Sequence, residues 1–243
     1  MVTITITAMT NHEQCRLSPL ALLRLQSWLS PALPAGFYSY SHGLEWAIEA
    51  RDVSDRQSLV DWLEADLLHG SGRNEAIFFK EAWRYATDYE RLCEISELAA
   101  AFRGTSEFAL ESSQPAAACL AIFKKVWPDR TLDMLTEILR ERQIPPALAV
   151  VLGVRLAAEG TPVTLALPAF LQSYMTNLVT AGVRLVPLGQ TDGQLAIAEL
   201  ERVVEAASAH AAAATIDELG SAAFMVDLAS MAHETQYTRL FRS

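Results

Sequence analysis

Apolar residues recur along this chain with the spacing of one helix face, and that periodicity limits its fold more than any other feature. Leu92, Ile95, Leu98, Ala99 and Phe102 fall at i, i+3, i+6, i+7 and i+10, and Ile197, Leu200, Val203, Val204 and Ala207 repeat the spacing. Leu59, Val60, Leu63 and Leu67 make a third stripe. Each stripe is the apolar side of an amphipathic helix, because an α-helix turns once every 3.6 residues. The pattern predicts helices near 19–29, 38–50, 55–69, 73–86, 88–102, 105–126, 131–142, 146–158, 168–186, 194–211 and 221–234. Ser54 with Gln57, and Thr87 with Glu90, read as capping boxes, in which each side chain satisfies an orphan amide of the first turn. Pro146 and Pro162 suit a first turn, where a missing N–H costs nothing. Gly70, Gly160 and Gly220 read as punctuation, and Pro115 is expected to kink or split the 105–126 segment. Only Val2–Thr7 alternates like a strand, and a lone strand is expected to be flexible or to pair between chains. No strand set is present for a doubly wound sheet or a barrel. The chain therefore reads as all-α, a single-domain helical bundle of about ten helices.

Charge narrows the function. The 243 residues carry 19 Lys plus Arg against 29 Asp plus Glu, a net charge of −10. A general nucleic-acid binder or a polybasic membrane-surface protein needs the opposite balance. With 51% hydrophobic and 20% charged residues the chain buries a core rather than staying disordered. Cys15, Cys93 and Cys119 are far apart and odd in number, so they form neither a disulfide frame nor a zinc set. The N-terminus lacks the basic start and apolar run of a secretory signal. The apolar run Ala147–Ala158 is interrupted by Arg155 and is too short to span a bilayer. These features predict a soluble, cytoplasmic protein.

The sequence holds no GxxxxGK[ST], no GxGxxG and no HExxH; His233-Glu234 lacks the second histidine one turn on. The five histidines are scattered. Ser41 and His42 are adjacent, so on a helix they point about 100° apart and do not form a nucleophile–base pair with each other. Ser39 or Ser41 reads more simply as a cap after the turn at Gly36. Asp61, Glu64 and Glu90 fall on polar helix faces. A helical-bundle hydrolase using His42 or His233 is the alternative from the enzyme class.

Two segments carry more than helix signals. In Ser30–Glu45, the run Pro34-Ala35-Gly36 predicts a tight turn from which Phe37, Tyr38 and Tyr40 project. The C-terminal HETQYTRLFRS places Leu240 and Phe241 between Arg239 and Arg242 on an acidic chain. An exposed Leu-Phe pair flanked by arginines predicts a docking peptide.

These segments also carry a resemblance. Residues 22–50, LLRLQSWLSPALPAGFYSYSHGLEWAIEA, resemble the N-terminal signature of the F-type urease accessory proteins, the UreF family. AGVRLVPLGQTDGQ (181–194) is similar to their central signature and MAHETQYTRLFRS (231–243) to their C-terminal one. The three stand in the family's order and spacing, and Arg103 and Glu107 fit a helical Arg…Glu pattern between them. The resemblance implies an all-helical, non-catalytic scaffold that dimerises and binds the D-type (H-type) accessory protein, UreD or UreH. That complex recruits the G-type GTPase UreG and delivers nickel to apo-urease; nickel and GTP belong to the partners, so no cofactor is implied for this chain. The residues it implies for partner contact are Tyr38, Ser39, Tyr40, His42, Glu45, Arg184, Gln190, His233, Glu234, Tyr237, Arg239, Leu240, Phe241 and Arg242. It divides the chain into a flexible segment 1–17, a helical domain 18–232 and a partner-binding tail 233–243. For the homodimer, the apolar segment Leu165–Val186, with Tyr174 and Met175 near its centre, is the expected interface core.

Overall fold

A computed structural model describes residues 17–242 of the chain; the alternating segment Val2–Thr7 lies outside them. Eleven α-helices and no strand occur among the described residues. They are α1 (Pro19–Trp28), α2 (Leu44–Glu49), α3 (Arg56–His69), α4 (Ser71–Arg84), α5 (Tyr89–Ala101) and α6 (Ser106–Val126). Then follow α7 (Arg130–Arg142), α8 (Leu148–Ala158), α9 (Val163–Leu185), α10 (Gln190–Ala213) and α11 (Phe224–His233). The all-α reading holds, with three local corrections. The segment 38–50 divides into a single 3-10 turn, Phe37–Ser39, and the short α2. His42 and Gly43 have positive φ between these pieces, which no continuous helix accommodates. The helix α6 runs unbroken through Pro115, whose ring is buried. Pro146 and Pro162 sit ahead of the first turns of α8 and α9 rather than inside them.

The caps also differ from expectation by one residue. Asp55, not Ser54, caps α3: its carboxylate accepts from the Ser58 amide at 2.8 Å while Ser58 Oγ accepts from the Asp55 amide at 3.1 Å. Asp88, not Thr87, accepts from the Arg91 amide at the start of α5. In both places two eligible cap residues are adjacent, and the carboxylate takes the site, where its charge meets the positive end of the helix dipole.

The helices α4 and α8 form the axis of the bundle. Eight consecutive residues of α8, Ala149 to Leu156, are buried, and most of α4 is buried too. They touch at Gly153, where a Cβ would meet the Phe79 carbonyl oxygen at 2.5 Å. Buried charge on α4 is paired, as burial demands. Lys80 Nζ reaches the Ala214 carbonyl at 2.6 Å and the Glu81 carboxylate, while Glu75 takes the Arg103 guanidinium. The long helices α9 and α10 lie against α3, with Gly182 of α9 facing Leu59. Met175, at the centre of the expected dimer interface, is 0% exposed inside this single chain, and Tyr174 donates to Asp66. The middle of α9 is therefore core, and that expectation of an interface is corrected.

Candidate functional site

The three signature segments, far apart in sequence, meet at one end of the bundle. The first supplies the entry to α2. Gly43 (φ 75°) lets that backbone pass α11 closely: a Cβ there would meet the Ser230 amide nitrogen at 2.8 Å. The crossing orients Glu45, in the first turn of α2, toward the chain's end. Its buried carboxylate accepts from the Leu240 amide at 2.6 Å and the Phe241 amide at 2.8 Å.

On the other side of Glu45 stands His233, the last residue of α11 and 0% exposed. Its Nε2 lies 3.2 Å from Glu45 and its Nδ1 2.8 Å from Glu107 of α6. Arg239 Nη1 reaches the same Glu107 at 3.1 Å. Burial pushes the Glu107 carboxyl up, against the pull of His233 and Arg239. Glu234 accepts from the amide and hydroxyl of Ser106 at the start of α6. The tail is thus tied to α2 and α6 through carboxylates.

The second signature closes the arrangement. Arg184, in the last turn of α9, donates through Nη2 to the Tyr38 carbonyl at 2.7 Å. Its guanidinium carbon also lies 4.4 Å from the centre of the Phe241 ring. A planar cation over an aromatic face, with its edge on a carbonyl, clamps the first and third segments together. The Arg242 amide donates to the Ser39 carbonyl at 2.8 Å, and Tyr40 and Arg242 share the Gln114 side chain. Gln190 opens α10 and is exposed, apart from this knot.

Several expectations change here. Of the three aromatics expected to project from the turn, only Tyr38 does; Phe37 is half-buried and Tyr40 is buried. The Leu-Phe pair is not wholly exposed either: Leu240 is 67% exposed but Phe241 only 5%. His42, Glu45 and His233 are buried, so their side chains hold the knot and its surroundings rather than form outer surface. What remains outside is Tyr38, Tyr237, Leu240 and an apolar stripe on α11, namely Phe224, Met225, Leu228 and Met231.

His42 belongs to a second network that sequence reasoning missed. Its Nδ1 lies 2.6 Å from Glu111 and its Nε2 2.5 Å from Ser71 Oγ, with the ring stacked on Phe108. Asp66 accepts from Ser71 Oγ and from the Tyr174 hydroxyl, both at 2.8 Å. Burial alone would lower the His42 pKa, but the Glu111 and Asp66 carboxylates outweigh it and hold the pKa at about 10. The ring is then an imidazolium that donates from both nitrogens. It is not the neutral base that a Ser71–His42–Glu111 triad requires, and the Ser71 hydroxyl hydrogen points to Asp66. One sequence signal was available. Asp66 falls three residues after Leu63, on the apolar stripe of α3, where an unpaired carboxylate is not tolerated. Asp61 and Glu64 are exposed, as expected of polar faces. Among the described residues no group of three or more His, Cys, Asp or Glu side chains is arranged to hold a metal ion. No helix among them is long and apolar enough to cross a membrane.

Comparison with known proteins gives a consistent answer. The family model described as UreF matches residues 53–201, a stretch that includes Arg184 and Gln190. The urease accessory protein UreF of Rhodopseudomonas palustris strain BisB5 is 46% identical over 225 residues, covering 92% of this chain and 91% of that protein. The UreF of Bradyrhizobium diazoefficiens strain USDA 110 is 45% identical over 225 residues, covering 92% of each. That of Bradyrhizobium sp. strain BTAi1 is 46% identical over the same length.

Proposed function

The chain belongs to the UreF family of urease accessory proteins, and on that premise we propose that it is a non-catalytic scaffold for nickel insertion into apo-urease. It acts by protein–protein contact in the cytoplasm. As a homodimer it binds the D/H-type accessory protein (UreD or UreH) and then recruits the GTPase UreG, which carries nickel and hydrolyses GTP. The chain itself takes no cofactor.

The observation that carries this reading is the knot of the three signature segments. It leaves Tyr38, Tyr237 and Leu240 outside, and α11 adds four large apolar residues, Phe224, Met225, Leu228 and Met231, that are also exposed among the described residues. Apolar side chains held outward by a rigid, charge-pinned support suit a surface that another protein covers. The hydrolase alternative loses its candidate residues to structural duty. His233 is enclosed by Glu45 and Glu107, and His42 is an ion-paired imidazolium.

The test is urease maturation in a heterologous host carrying the urease structural genes and the other accessory genes. Without this chain, purified urease should contain little nickel and show little activity; supplying the chain should restore both. Equal nickel content with and without it would remove the proposed role.

A further inference from the structure

The methionines among the described residues divide by place. Met134 lies in α7, Met175 in α9, and Met225 and Met231 in α11. Met175 is 0% exposed, and Met134 packs half-buried against the core. Met225 and Met231 are 54% and 48% exposed, so every exposed thioether among the described residues stands on α11. At about 100° per residue, Phe224, Leu228 and Met231 fall within about 60° of one another around that helix, and Met225 lies about 60° beyond Leu228. One methionine therefore bounds each edge of the apolar stripe. The buried residues Val226, Ala229, Ser230 and His233 take the opposite side.

A thioether is as apolar as the Phe and Leu side chains between the two methionines, but only the thioether is open to mild oxidation. A peroxide gives one oxygen to a sulfur lone pair. The O–O bond breaks, an S–O bond forms, and the other oxygen leaves as water. The sulfoxide is a polar acceptor where apolar surface stood. Two thiols reverse the step: the oxygen leaves as water and the thiols become a disulfide. On the free chain these two sulfoxides stay in water, so the fold is not taxed. Under a partner each must find a donor or lose its hydration uncompensated. The helix runs through His233 into the tail that carries Tyr237 and Leu240, so the stripe and the tail form one C-terminal segment. We propose that Met225 and Met231 are a reversible oxidation site: peroxide turns the α11 stripe polar and releases the D-type accessory protein, and enzymatic reduction of the sulfoxides restores binding. This rests on the scaffold reading above.

The test treats the full chain with hydrogen peroxide, removes the peroxide, and adds untreated D-type protein. Peptide mass spectrometry should find one added oxygen on Met225 and on Met231 well before Met175, with the unfolding midpoint of the chain nearly unchanged. Titration calorimetry should show the affinity for the D-type protein falling about tenfold or more. Methionine sulfoxide reductases for both epimers, with a dithiol, should restore it. The variant Met225→Leu with Met231→Leu is compared with itself: having no sulfur at these positions, it should bind equally before and after peroxide, which also controls for oxidation elsewhere in the chain. Three results overturn the proposal alone: an oxidised chain that binds as tightly as the untreated one, a Leu variant that peroxide weakens as much, or Met175 oxidised as fast as the α11 pair. An untreated chain that does not bind the D-type protein overturns the scaffold reading and this proposal with it.

Discussion

Glu45 accepts two tail amides on one side and faces His233 on the other, so one carboxylate joins α2, α11 and the chain's end. Removing it strands two amide donors and leaves the His233 imidazole with Glu107 alone. Glu45→Ala should cost about 3 kcal/mol, the cost of breaking a buried charged network from one side. Urea unfolding measures the loss, and limited proteolysis should show cleavage after residue 233 long before global unfolding. Arg184→Ala should loosen the same tail while leaving the midpoint of unfolding nearly unchanged, since its side chain is exposed and clamps only Tyr38 and Phe241. Arg184→Lys keeps a cation over the ring but loses the fork, so its proteolysis rate should fall between the two. His42 sets a pH dependence. It gains carboxylate partners on folding, so its pKa rises from 6.5 to about 10. The stability it contributes is complete below about pH 6.5 and is lost as pH rises toward 10. Urea unfolding at pH 7 and pH 9.5 should show the wild-type chain weaker at the higher pH, with a smaller difference in His42→Phe.

At the scale of elements, the apolar stripes placed the helices and the tertiary contacts placed their ends. Leu59, Val60, Leu63 and Leu67 are buried in α3 as their spacing predicts. The caps were misplaced by one residue because Ser54 and Asp55, and Thr87 and Asp88, are both competent in sequence. Pro115 fails to split α6 because its ring is enclosed by tertiary packing, which local propensity does not report. The crossing of α2 and α11 rests on Gly43, where a side chain is opposed both by a φ of 75° and by the Ser230 amide. Gly43→Ala should therefore destabilise by more than about 1 kcal/mol, and Gly104→Ala, with open space at its Cβ, should do far less. Thermal unfolding of the two variants side by side checks the difference.

For the whole molecule, the signatures marked the right residues but not what they do for the fold. Leu240 lies 195 positions from the carboxylate that holds its amide, a separation at which no local spacing rule operates. An arginine-flanked Leu-Phe pair reads as exposed in sequence; in the structure Arg184 covers Phe241 and leaves Leu240 outside. The His42 network was legible only through Asp66, since Ser71, Glu111 and Tyr174 come from three further helices. This division between pinned and exposed residues lets the proposed partner surface be tested without damaging its support. Tyr237 and Leu240 are both exposed, so Tyr237→Ser with Leu240→Ser should preserve the unfolding midpoint. The most direct measurement is size-exclusion chromatography with light scattering, on the chain mixed with the D-type accessory protein and the GTPase. The wild-type chain should co-elute with both in one complex, and the double variant should elute apart from them; a wild-type chain that never co-elutes, or a double variant that co-elutes as fully, would contradict the account.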